Sequence, residues 1–183
     1  MSNDPTLSRN VLEMAAIATE FCAFIETASG TEPMTALVTL GKFVPLLYLR
    51  GTLLPEIEPE YPEANERYVT EEQWDAVFLD LRALFDGQDE FLYIGENELG
   101  EPASLNGSIS EHLADVYQDL KDFLMLYKKA DPAMRENAIA GCRQLFSERW
   151  GLRLARLLPV VHSRIFDENG YSSDNDYSDL FLN

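Results

Sequence analysis

The segment Ser108–Phe123, SISEHLADVYQDLKDF, sets Glu111, His112, Asp115, Asp119 and Asp122 at helical spacing. No other stretch joins a histidine to several carboxylates in this way. Side chains three and four apart touch on a helix, so His112, Asp115 and Asp119 make one contiguous row. Imidazole and carboxylate together ligate divalent metals, provided a second helix adds donors. Glu20, Glu71 and Glu72 are the candidates for that second contribution, but no Glu-x-x-His partner motif occurs elsewhere. The simpler reading is a solvated acidic face with a histidine at its border. At about 100° per residue, Ile109, Leu113, Val116, Leu120, Phe123 and Tyr127 share the apolar face. His112 and Asp119 then lie at its edge, with Glu111, Asp115 and Asp122 toward solvent.

A second polar group is basic. Arg149, Arg153 and Arg156 fall at i, i+4 and i+7 and form one stripe. They could lie against the acids of 108–123 and fix helix register; exposed pairs of this kind are worth only about 0–1 kcal/mol each. Alternatively they line a pocket for a carboxylate or phosphate ligand, which arginine grips in bidentate fashion. The structural role is the favoured one. Other chemistry is thin. Cys22 and Cys142 have no histidine nearby in sequence, and there is neither a Gly-x-Ser-x-Gly elbow nor a phosphate-cradling glycine loop. His162 reads as a packed or exposed lone histidine. Asp174, Asp176 and Ser178 fail as a calcium loop because Asp179 stands where glycine is needed.

Composition narrows the classes further. The 183 residues carry a net charge of −18. That argues against nucleic-acid binding and against anionic membrane surfaces, both of which need clustered Lys and Arg. It permits metal cations, basic protein partners or mimicry of a polyanion, besides simple solubility. Residues 56–101 hold fifteen acids against Arg67 and Arg82, whereas residues 143–164 hold five arginines against Glu148 alone. Two cysteines on apolar helical stretches read as buried free thiols. With no basic and apolar leader at the N-terminus, the expected compartment is a reducing cytoplasm.

The elements that must position these groups are helices. Asn10 and Glu13 suit the start of a first helix over about 11–28. A second, from about Pro33 to Leu54, is apolar on most faces and is expected to be the central buried helix. Lys42, Arg50 and Pro45 make it too interrupted for a bilayer span. Residues 55–69, rich in proline and glutamate, form a solvated connection. Thr70 and Gln73 open a third helix with a capping box. A short helical turn is expected over 89–94 and an acidic loop over 95–107. Ser108 and Glu111 start the fourth helix; Asp131 and Pro132 start the fifth, which Pro159 bends or stops. We find no repeat and no convincing strand. The expected fold is all-α, a single-domain bundle of about five helices over 1–166 with acidic connecting loops, followed by a loose acidic tail, 167–183, that carries Leu180-Phe181-Leu182 near its end.

The run Ser110-Glu111-His112-Leu113-Ala114-Asp115-Val116-Tyr117-Gln118-Asp119-Leu120-Lys121-Asp122-Phe123 resembles the signature of a bacterial family catalogued as a domain of unknown function, number 5063 in that series. Pro45-Leu46-Leu47-Tyr48-Leu49, Val69-Thr70-Glu71-Glu72 and Phe146 to Trp150-Gly151, with His162 downstream, match it too. The resemblance covers about residues 10–165. It implies a small helical cytoplasmic protein and transfers no catalytic residue. The function expected is a non-enzymatic binding or interaction module that presents an acidic surface to a protein partner and needs no cofactor. The alternative is a metal-dependent all-α hydrolase of phosphoesters or nucleotides with Glu111, His112, Asp115 and Asp119 as ligands. A homo-oligomer through the apolar second helix is left open.

Overall fold

A computed structural model describes residues 4–97 and 99–166; the tail, with Asp174, Asp176 and Leu180–Leu182, lies outside the described residues. Six α-helices and one β-hairpin follow in order: α1 (Arg9–Thr27), α2 (Pro33–Thr52), α3 (Glu71–Leu84), β1 (Glu90–Glu96), β2 (Pro102–Ser108), α4 (Ile109–Tyr127), α5 (Pro132–Leu145) and α6 (Gly151–Phe166). A π-helical turn, Phe146–Trp150, joins α5 to α6 without a break, so these two make the single fifth rod of the bundle.

α4 is the axis. It packs on α1, α3, α5 and α6, and α2 closes the bundle against α1 and α6. Fourteen of its nineteen residues are buried, including Ser110, His112, Asp115, Asp119 and Asp122. The expected centre, α2, is one-sided instead. Ala36, Leu37, Leu40, Val44, Leu47 and Gly51 are buried, while Leu46, Tyr48, Leu49 and Leu53 are exposed. Apolar content therefore misranks the two helices. Asp115 and Asp122 can go inside because each finds hydrogen-bond donors there, and Asp119 because it pairs with Arg149; a paired polar group escapes much of the penalty of burial.

Local signals set most of the boundaries. Thr70 and Gln73 form the reciprocal capping box at the start of α3. Asp131 accepts from the Ala133 N–H, with Pro132 in the first turn of α5. At α1 the expectation shifts by two residues: Ser8 is the N-cap, and Glu13 pairs with Arg9 and Arg50 rather than closing a box at Asn10. Neither Pro45 nor Pro159 ends its helix. Gly151 is fixed by close approach. A Cβ there would stand 2.3 Å from the Phe146 carbonyl oxygen, inside the π-turn.

The hairpin is absent from the sequence reading, which takes 89–94 as a helical turn and 95–107 as loop. β1 and β2 pair antiparallel from Glu90 opposite Ser108 to Glu96 opposite Pro102. Phe91, Tyr93, Ala103 and Leu105 alternate inward along the two strands. Alternation of this kind is the strand signal; the glycines and acids around it disguise it as loop.

Candidate functional site

The acidic row of α4 meets the arginine stripe. Asp115 is the junction: its Oδ1 accepts from the Trp74 indole N–H at 3.0 Å, and its Oδ2 pairs with Arg153. One turn on, Asp119 has a fully buried side chain whose Oδ2 lies 3.0 Å from Arg149 Nε, too poorly aligned for a hydrogen bond. Arg149 instead donates through Nη2 to Gln118 Oε1 at 2.7 Å. Asp122 Oδ1 accepts the backbone N–H groups of Tyr68 and Val69, both at 2.8 Å. A carboxylate holding two backbone donors is a strong, charge-assisted tie, and it fastens the connection before α3 to the core.

That connection has further anchors. Arg143 donates to the Leu54 carbonyl at 2.6 Å, and Asn137 to that of Tyr61 at 2.7 Å. The Glu60 N–H donates to Glu136 at 3.2 Å. So the 55–69 segment is solvated on one side only.

His112 takes no part in the acidic row. Its ring lies edge-on to Phe91 and Tyr93, with centroids 5.3 and 6.2 Å away, under the hairpin. Neither ring nitrogen makes a hydrogen bond of ordinary geometry. Burial, helped by the charges of Arg153 and Arg156, pushes its pKa down to about 4; the Ser108 backbone and Asp89 pull weakly the other way. The imidazole is thus neutral at pH 7. Arg156 leaves the acids as well, stacking its guanidinium 4.4 Å from the Tyr93 ring centroid. Glu111 is exposed.

Asp119 is perturbed in the opposite sense. Desolvation raises its pKa to about 6, against the pull of Arg149 and Arg67. Both shifts follow one rule, that burial disfavours whichever form is charged.

Of the eight residues picked from the sequence, Asp115, Asp119, Arg149 and Arg153 come together. Asp122, His112 and Arg156 serve neighbouring contacts, and Glu111 faces away. Among the described residues no group of three or more His, Cys, Asp or Glu side chains is arranged to hold a metal ion. The expected donors Glu71 and Glu72 sit in the exposed first turn of α3, and Glu20 is exposed on α1. Both thiols are free and buried, and burial raises Cys22 to about 12 and Cys142 further still.

Asp115, Arg149 and Arg153 border an open cleft of about 360 Å3, which Glu71, Trp74 and Gln118 complete. Sequence reasoning missed Trp74, whose indole N–H is the donor that lets Asp115 be buried. It also missed Asp89, buried just before β1. Asp89 accepts from the Ser110 N–H at 2.7 Å and from the Ser108 and Ser110 hydroxyls at 2.7 and 2.9 Å, holding the first turn of α4. No local signal marks it, because its partners lie about twenty residues further along the chain.

No helix among the described residues is long and apolar enough to cross a membrane. No curated protein matches the chain. Among solved structures it is similar to the crystal structure of protein BF1032 from Bacteroides fragilis, a structural-genomics target. The identity is 30%, the TM-score 0.80, and the match covers 92% of this chain and 99% of that one. The family model described as Domain of unknown function (DUF5063) matches residues 5–167, and the chain belongs to that family.

Proposed function

We propose that the protein is a non-enzymatic binding module whose acidic surface receives a cationic protein partner. One observation carries this reading. Apart from the exposed Glu111, the acids of α4 are engaged internally, whereas the described acids of 56–101 other than the buried Asp89 are exposed and almost uncompensated. Among the described residues, the ion pairs from that stretch are the exposed contacts Arg82–Glu90 at 3.9 Å and Arg143–Glu56 at 3.6 Å. Asp75 and Asp80 on α3, and Glu58 and Glu63 before it, face solvent without a cation. At physiological salt, exposed charges act over about 8 Å, so the location of the acids matters as well as their number.

The test is fluorescence polarisation with labelled decalysine. The double variant Asp75→Lys/Asp80→Lys should weaken binding at least tenfold. The control Glu20→Lys/Glu148→Lys, with the same change in net charge on other faces, should not. Equal weakening by both variants would refute a localised acidic surface.

A second reading is supported by the cleft. Arg149 and Arg153 are anchored by acids behind them and reach a space beside Trp74, an arrangement suited to a small carboxylate or phosphate. Titration with inorganic phosphate or citrate, read by tryptophan fluorescence, should then saturate. Arg153→Gln, if folded, should abolish the response.

A further inference from the structure

The hairpin has an open side. Ile109 N–H donates to the Asp89 carbonyl at 2.9 Å, and Asn97 N–H to that of Glu101 at 2.9 Å. Antiparallel pairs alternate between bonded and unbonded residues. The odd-numbered residues of β1 therefore bond to β2, and Glu90, Leu92, Ile94 and Glu96 direct their N–H and C=O groups to the outer edge. Among the described residues the one hydrogen bond on that edge comes from Arg164, to the Glu90 carbonyl at 3.3 Å.

The same four residues share the outward face. Leu92 is 69% and Ile94 77% exposed, and the carboxylates of Glu90 and Glu96 bracket them. Exposed edges are ordinarily blunted by lysine, proline or a bulge. β1 has no lysine, no proline and an unbroken register.

We propose that the β1 edge docks an extended peptide with two aliphatic residues flanked by lysine or arginine, adding it as a third strand. This rests on the acidic-surface reading above and names the form of its partner. Backbone hydrogen bonds give such strand addition its affinity, and alternate side chains its specificity. Here the alternate positions ask for cation, aliphatic, aliphatic, cation. A second copy of this chain does not fit. In the antiparallel register that covers both Leu92 and Ile94, Glu90 of one copy faces Glu96 of the other, and like charges directly opposite are destabilising.

The probe is a fluorescein-labelled peptide, Lys-Thr-Val-Thr-Ile-Thr-Lys, titrated with the full chain. Binding should be saturable and weaken with salt. It should fall at least tenfold when both lysines are replaced by glutamate, and when the Val and Ile amides are N-methylated. Ile94→Pro removes an outward N–H, and Leu92→Lys/Ile94→Lys repels the cations; either should fall as far while circular dichroism is retained. No saturable binding would overturn the inference, as would equal binding of the N-methylated peptide. A micromolar dimer abolished by Leu92→Lys/Ile94→Lys would overturn it in favour of self-pairing. Decalysine binding that depends on Asp75 and Asp80, without any dependence on the β1 edge, would sink this inference alone.

Discussion

His112→Leu should remove a pH dependence that the wild-type chain carries. Unfolded, the imidazole takes up its proton near 6.5; folded, it stays neutral down to about pH 4. Between those values the unfolded state holds more protons, so the histidine makes stability fall as pH falls. From 6.5 to about 4, at about 1.4 kcal/mol per pH unit, the loss is about 3 kcal/mol. A few kcal/mol is a large share of the ~5–15 kcal/mol that holds a domain together. For a chain of this length it corresponds to a melting shift of about 6–12 °C. The assay is thermal or urea unfolding of both proteins from about pH 7 to about pH 3, on either side of the folded and unfolded titrations, read as the difference between them. That difference cancels the other titrating groups. The variant should gain on wild type steadily across the window and stop gaining below about pH 4. Parallel curves would refute the reasoning, as would an NMR titration of the folded imidazole near its ordinary value.

Three more outcomes follow from the same packing. Asp119 has the reverse sign: its raised pKa stabilises the fold at low pH, and that contribution is lost as pH rises through about 6, so Asp119→Asn should gain on wild type between pH 4 and pH 7 in the same difference measurement. Asp115→Ala strands the Trp74 N–H and Arg153 together; urea denaturation should show a loss of about 3 kcal/mol, most of it recovered by Asp115→Leu/Arg153→Met. Gly51→Ala puts a Cβ 2.4 Å from the Phe146 ring; this overpacking should cost about 1–3 kcal/mol in the same assay.

Sequence made the helices legible because their signals are local. The Thr70–Gln73 box, the Asp131-Pro132 start and the 3–4 spacing of apolar residues all act within a turn or two. The helical bundle follows from them. What stayed hidden depends on partners distant in sequence. Asp115 and Asp122 read as solvent-facing because nothing within a few residues shows Trp74 or the Tyr68 and Val69 amides arriving to meet them. The ranking of α2 above α4 as the central helix fails for the same reason. The arginine stripe was legible as a stripe, and its meeting with the acids stood as one of two alternatives. Only Arg149 and Arg153 meet them, because the hairpin that diverts Arg156 and His112 was itself unread.

The anchored 55–69 segment changes what a long connection means in this molecule. Its ties run to α4 and α5, elements that follow it in the chain, and not to α2, which precedes it. Its amides at Tyr68 and Val69 are held by the bundle axis, so their hydrogen exchange should follow the opening of α4 rather than local fraying. Loop closure is thereby divided into short spans, each with a small entropic requirement. The stretch between the Tyr61 and Tyr68 anchors is therefore a place where extra residues could be admitted without loosening either helix.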